Sequence, residues 1–190
     1  MLKNLLALIG LIAIIIVVIA GLYVQRAMSE FDPGALAIYR EFATNMLTTK
    51  DLAGSMVWAV PVKDGITEEE VKESLKSIAV QRNFLFVGES PFYKQVEAVT
   101  GKPYRHIAFM SFCDVRVGME MADYNDAFTA FMPCRISVVR DQKGKLWLYT
   151  MNMDFLIHGA KELPPELKAG AIKVRDTMKA MMDGAAKGEF

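Results

Sequence analysis

Residues 135–151 read RISVVRDQKGKLWLYTM. Two runs dense in Val, Ile, Leu, Trp and Tyr, residues 135–140 and 145–151, flank the polar segment Asp141-Gln142-Lys143-Gly144. β-Branched and aromatic side chains suit a pleated surface, and a short polar segment closing on glycine suits a tight reversal. The stretch therefore predicts a β-hairpin.

Working outward, YRHIAFMSFC at residues 104–113 predicts another strand. With a period of two, Tyr104, His106, Ala108, Met110 and Phe112 share one face of it; Arg105, Ile107, Phe109, Ser111 and Cys113 share the other. Residues 114–122 read as a helix and 123–132 as a less regular connection. Further upstream, MVWAVPV (residues 56–62) is a strand whose Pro61 suits an edge or a strand end. Lys63-Asp64-Gly65 is a turn. Thr67 and Glu70 form a capping box, which opens a helix over residues 68–82 with an acidic first turn. Its Val71, Leu75, Ile78 and Ala79 line one face. FLFVG at residues 84–88 follows as a strand, and Ser90-Pro91 starts a helix that Gly101 and Pro103 stop.

Downstream, a short apolar segment covers residues 154–158. Pro164-Pro165 then opens a last helix with a stripe of Leu167, Ala171, Val174, Met178 and Met181. Strands mixed with helices and one hairpin define an α+β class: an open, mixed or antiparallel sheet covered on one face by helices.

The N-terminal end follows different physics. Residues 5–24, LLALIGLIAIIIVVIAGLYV, contain no charge. As a helix, Leu5 to Val24 rises about 30 Å, the thickness of a bilayer's hydrocarbon core. A cleaved signal peptide has a shorter apolar region before its small-residue site, and this run overshoots the poor site at Val18-Ile19-Ala20, so a retained anchor in the lipid bilayer is favoured. The amino group and Lys3 on one side and Arg26 and Arg40 on the other barely set an orientation. The very short N-terminal tail favours an N-inside signal anchor, with single-pass insertion in an inner membrane and a periplasmic bulk.

Ser29 to Asp32 reads as a polar linker. Asp32-Pro33 reads as N-cap and first helical residue of an amphipathic helix reaching about Lys50, whose stripe packs on the following domain. The expected organisation is an anchor (1–27), a linker with amphipathic helix (28–54), a main domain (55–160) and a C-terminal helix and tail (161–190).

Among 190 residues, 22 Lys+Arg balance 22 Asp+Glu, so no basic field exists to hold a phosphate backbone, and nucleic acid is not an expected partner. A 53% hydrophobic and 23% charged composition excludes intrinsic disorder. Two cysteines exclude a disulfide-dense mini-protein, and there is no CxxC.

Tyr104-Arg105-His106-Ile107 leading to Phe112-Cys113, then Met132-Pro133-Cys134-Arg135-Ile136, resembles the domain-of-unknown-function family 302 over about Trp58 to Met153. The chain departs from that pattern after the first cysteine, where Cys113-Asp114-Val115 replaces the Cys-Asn-Pro of many members. The resemblance implies a compact α/β fold that tends to self-associate, and it implies no activity.

Cys113 and Cys134 are the redox or disulfide candidates. A bridge would close a loop of about twenty residues, stabilising by roughly 3 kcal/mol. It requires antiparallel strands, because a parallel crossover would leave the two at opposite sheet ends. Two separate buried thiols, or a reactive or metal-binding pair, are the other readings. Reactivity would need a cation such as Arg116 or Arg135, or the helix N-terminus near Asp114, to lower a thiol pKa.

Thirteen methionines, with Met119-Glu120-Met121 and Met151-Asn152-Met153 among them, resemble soft-metal pairs, although Met also fills cores. His106, Met110, Met151, Met153 and His158 are the weak candidates for copper or noncovalent haem; no cofactor is otherwise expected. The bland reading of His106 is a half-buried strand residue, and of His158 a helix C-cap. The three consecutive glutamates of residues 68–70 fit a helix N-terminus. No GxSxG, Walker, HExxH or GxGxxG motif occurs, so an enzyme is disfavoured.

The expected function is a membrane-anchored, exported binding or accessory subunit of a membrane complex, or a homo-oligomer built on its amphipathic helices. A thiol redox or sulfur-handling protein is the first alternative, copper or haem binding the second.

Overall fold

The computed structural model describes residues 2–190. The charge on the amino terminus, which enters the orientation count above, lies outside the described residues, as does the side chain of Leu5. In order, the elements are α1 (Leu2–Met28), α2 (Ala35–Thr49), the single turn α3 (Leu52–Ser55), β1 (Val57–Pro61), α4 (Glu68–Gln81) and β2 (Leu85–Ser90). Then come α5 (Phe92–Thr100), β3 (Ile107–Cys113), α6 (Val115–Tyr124), a 3-10 turn (Asp126–Phe131), β4 (Cys134–Arg140), β5 (Leu146–Met151), the short α7 (Asp154–His158) and α8 (Pro165–Lys187).

The hairpin forms as its residues dictate. Arg140 pairs with Leu146, and the Asp141 carboxylate accepts the amides of Lys143 at 2.8 Å and Lys145 at 2.9 Å. Gly144 sits at φ 83°, a conformation that glycine takes without a Cβ clash. The five strands make one antiparallel sheet in the order β1-β5-β4-β3-β2. β1 pairs on one side only, so Pro61, which has no amide hydrogen to give, stands on an edge.

Alternation sorts the sheet's two faces. Ala108, Met110 and Phe112 of β3, Ile136 and Val138 of β4, and Leu146 and Leu148 of β5 are buried. They pack on Val71, Leu75, Ile78 and Ala79 of α4 and on Val174, Met178, Met181 and Met182 of α8. The stripe of α8 is therefore not a free surface for a partner. It closes the main core, so the helix belongs to the domain and is no appendage after residue 160.

The capping box stands as read: Thr67 Oγ1 accepts from the Glu70 amide at 3.2 Å, and the Glu70 carboxylate accepts from the Thr67 amide at 2.8 Å. From the same first turn, Glu68 accepts from Arg140 Nε at 2.6 Å. That bond outweighs partial burial and takes the Glu68 carboxyl from 4.5 down to about 2. A depressed carboxyl stabilises the fold above its unfolded pKa, and the contribution disappears as pH falls through the folded value. Glu68→Gln is expected to flatten the pH dependence of unfolding between about pH 5 and pH 2, read by thermal denaturation at each pH. An unaltered acid limb would mean that the ion pair adds nothing to stability.

α2 differs from its expectation. It starts at Ala35 after Gly34, and Asp32 does not cap it in the usual way. The Asp32 carboxylate accepts the Gly34 amide at 2.8 Å and is otherwise engaged with residues far along the chain. Part of the α2 stripe meets the domain, since Phe42 packs edge-on against Phe155 with ring centroids 5.6 Å apart and Tyr39 Oη donates to the Gly159 carbonyl at 2.6 Å, whereas Leu36 and Leu47 are exposed.

Candidate functional site

Antiparallel order brings the ends of β3 and β5 and the starts of β1 and β4 to one edge of the sheet. There the main core meets a second apolar cluster, built by Met121 of α6, Ile157 of α7, Leu163 just before α8, and Leu167 and Ala171 in its N-terminal part. α6 approaches α8 so closely that a Cβ on Gly170 would lie 3.1 Å from the Val117 side chain, which explains a glycine in mid-helix. Between the two clusters a cavity of about 360 Å³ opens. That volume falls in the range of small-ligand sites.

Its chemistry is set by sulfur. Cys113, Met121, Met132, Cys134, Met151 and Met153 all line it. Each arrives by its place in the fold: Cys113 is the last residue of β3, Cys134 the first of β4 and Met151 the last of β5, while Met132 follows the 3-10 turn. Gly118 of α6 lies against this wall. A Cβ placed on it would be 3.4 Å from Cys113 Sγ and 3.7 Å from Met132 Sδ. Asp114, Arg135, Ser137, Tyr149 and Thr150 supply the polar part of the lining.

The cysteines meet the topological condition for proximity, since β3 and β4 are antiparallel and Phe112 pairs with Cys134. Cys113 is thus one residue out of register with Cys134, and side chains so related leave a sheet on opposite faces. Both are free thiols that reach the cavity around the sheet's end. Burial, and then the neighbouring Cys113, push the Cys134 thiol up to about 11. Burial, and then Asp114, raise Cys113 as well. The helix N-terminus that could have activated Cys113 is occupied by Asp114, whose carboxylate accepts the Val117 amide at 3.2 Å. Arg116 and Arg135 are exposed. These surroundings raise both thiols rather than lower them.

The histidines and methionines divide. Met151 and Met153 line the cavity, whereas Met110 is wholly buried in the main core. His106 precedes β3 at the opposite end of the sheet, its ring tilted by 30° against that of Tyr93 with centroids 4.6 Å apart. Burial, and then the charge of Lys72, lower its pKa, which favours the neutral ring. His158 caps nothing in the simple sense expected of it: its Nδ1 lies 3.0 Å from Asp32 Oδ1.

That contact belongs to a cluster which sequence reasoning missed. Asp32 is buried, and Lys168 Nζ lies 2.6 Å from its Oδ2 while also reaching Glu162 at 2.7 Å. Burial opposes ionisation of Asp32, yet Lys168, the Gly34 amide and His158 together hold its carboxyl below the ordinary value. Backbone contacts continue the join, with the Asp32 amide donating to the Ala160 carbonyl at 2.8 Å and Phe31 bridging to Lys161. The residues after α1 are thus part of the domain's packing. His158 lies 126 residues from Asp32 in sequence, so no local pattern could signal the pair.

The architecture defines a one-sheet α+β domain with a sulfur-lined cavity at one sheet end, carried behind a long apolar helix. A family model described as Domain of unknown function DUF302 matches residues 58–185, about two thirds of the chain, and the chain belongs to that family. The matched range includes nearly all of α8, in keeping with that helix's place in the core. The fold is similar to the crystal structure of the uncharacterized conserved protein DUF302 from Bacillus stearothermophilus, with a TM-score of 0.56 and 16% sequence identity over 67% of this chain and 96% of that one. No curated protein matches the chain.

Proposed function

We propose that this is a membrane-anchored, extracytoplasmic DUF302 domain serving as a binding or accessory subunit, with the sulfur-lined cavity as its ligand site. One observation carries the anchor: Leu6–Met28 is a 23-residue apolar helix, and no part of its most apolar stretch is buried against the protein. A helix of that length rises about 34 Å, enough to cross roughly 30 Å of hydrocarbon. Side chains such as Ile14, Val17 and Ile19 are more than half exposed, so the fold offers them no apolar partner and lipid does. A cleaved signal sequence has the same composition. Phe31 and Asp32, just after the helix, pack against Lys161, His158 and Lys168, which joins the chain behind the helix to the domain. Met153 and Leu156, beside α7 and within it, line the cavity, while His158 at the end of α7 holds Asp32.

Carbonate washing of native membranes followed by mass analysis of the mature chain tests the tether. The intact chain is expected in the pellet and released only by detergent. A polypeptide starting beyond Ala20 and recovered in the wash would sink the reading. Protease added to spheroplasts is expected to digest the domain; protection until lysis would reverse the orientation.

A further inference from the structure

We propose that the cavity takes a small aromatic carboxylate, its ring seated over Ser137 between Phe109 and Tyr149 and its carboxylate held by Arg135. This rests on the cavity being the ligand site and names the class of ligand. The strand register supplies the geometry. Phe109 of β3 is the Cα partner of Ser137 of β4, and Ser137 is the Cα partner of Tyr149 of β5. The three stand in one row across adjacent strands, on the sheet face turned away from α4 and α8, and all three line the cavity. Neighbouring strands lie about 4.8 Å apart, so the Cα atoms of Phe109 and Tyr149 are roughly 10 Å apart. Ser137, the smallest side chain of the row, leaves a trough one residue wide with an aromatic wall on each side.

Each wall is held from outside the trough. Phe109 packs on Phe92 with ring centroids 5.8 Å apart, and Tyr149 stacks on Trp147 at 6.1 Å. Neither outer partner lines the cavity. Two braced rings favour a flat aromatic guest, which makes stacked or edge contacts with both and has no chain rotamers to lose.

Arg135 sets the charge. It lies two residues before Ser137 on β4, so it shares that face, and it lines the same cavity. Arg140 and Arg175 are paired with carboxylates, whereas among the described residues no carboxylate pairs with Arg135. Asp114, the one acid among the lining residues, caps α6 through the Val117 amide and lies 3.8 Å from Lys173. A guanidinium with free donors beside an apolar trough matches a carboxylate, which it grips through two parallel hydrogen bonds. Thr150 Oγ1 is engaged with the Arg135 carbonyl at 2.7 Å, while Ser137 Oγ bonds to no described residue and offers a further donor.

The test uses full-length protein in detergent micelles, titrated calorimetrically with sodium 2-naphthoate after subtraction of empty micelles. One equivalent is expected to bind, and the uncharged isostere 2-naphthamide should bind at least about tenfold more weakly, since a hydrogen bond to a charged group is lost. Arg135→Gln should weaken 2-naphthoate at least about tenfold and leave 2-naphthamide unchanged. Ser137→Leu, which fills the trough, should abolish binding of both, while Ser137→Ala should retain it. Circular dichroism establishes that each variant is folded, and Arg135 is an exposed residue whose replacement leaves the core intact. No binding of 2-naphthoate, equal affinity in Arg135→Gln and wild type, or undiminished binding in folded Ser137→Leu would overturn the proposal. A parallel titration with an uncharged apolar dye separates the two readings. Saturable dye binding without 2-naphthoate binding leaves the cavity a ligand site and removes the acid; neither binding removes both.

Discussion

Phe112→Ala is expected to destabilise the protein by about 3–5 kcal/mol, the range for deleting a large aromatic side chain from a packed core. Phe112 has no exposed surface and lies on the inner face of β3, with its ring centroid 5.5 Å from that of Phe86. β3 stands between β2 and β4, so neither neighbour can move in to fill the space without breaking a ladder. α4 and α8 close the same core from above, each held by its own stripe of fixed side chains. Collapse around the deletion is therefore limited, and a cavity remains. Urea denaturation reads the effect as a lowered midpoint at unchanged slope. Val87→Ala, at a residue about half exposed, is the control, with an expected change within about 0.5 kcal/mol. Equal midpoints for Phe112→Ala and the wild type would mean that the β3 face has been assigned the wrong way round.

Asp32→Ala is the second large effect. Removing one member of a buried ion pair costs about 3–5 kcal/mol when the partner is left without water or counter-charge. Here Lys168 keeps Glu162 at 2.7 Å and about a fifth of its side-chain exposure, so part of the cost is recovered and about 2–3 kcal/mol is expected. The loss is local as well as global. Asp32 joins the segment after α1 to α7 and α8, and without it the stretch between Met28 and Ala35 should become accessible to limited proteolysis. Asp32→Asn retains an acceptor for the Gly34 amide and should lose less. The sign of the pH effect follows from the depressed carboxyl: its contribution is complete above the ordinary carboxylate range and declines as pH falls below it. Wild type should lose this share of stability in acid, and Asp32→Asn should show no such loss. Identical proteolysis of wild type and Asp32→Ala would remove Asp32 as the joint between helix and domain.

Much of the architecture was readable wherever a few neighbouring residues carry the signal. Thr67 and Glu70 mark the start of α4 because a capping box is complete within four residues. Pro61 marks an edge because its missing amide hydrogen cannot be replaced from elsewhere. Alternation along β3 separates His106 from Cys113 without any knowledge of the neighbouring strands. The candidate site was half readable. Cys113, Cys134, Met151 and Met153 do come to one cavity, but Met110, His106 and His158 do not join them, and Met121 and Met132 gain their place only from α6 and the turn after it. Asp32 reads locally as a helix cap because an aspartate before proline satisfies that pattern. Its real partners lie on α7 and α8, beyond the reach of any window along the chain.

Taken alone, the amino-acid order determined the element types, the α+β class and the length of the apolar helix. These depend on periodicity, capping and turn chemistry, all of which act over a handful of residues. Tertiary structure decided the strand order, the use of the α8 stripe as core, the separation of the two thiols across a one-residue offset, and the gathering of six sulfurs at one sheet end. Those outcomes depend on which surfaces exclude water together. That choice is made among segments far apart in sequence, where burial of apolar area outweighs every local preference.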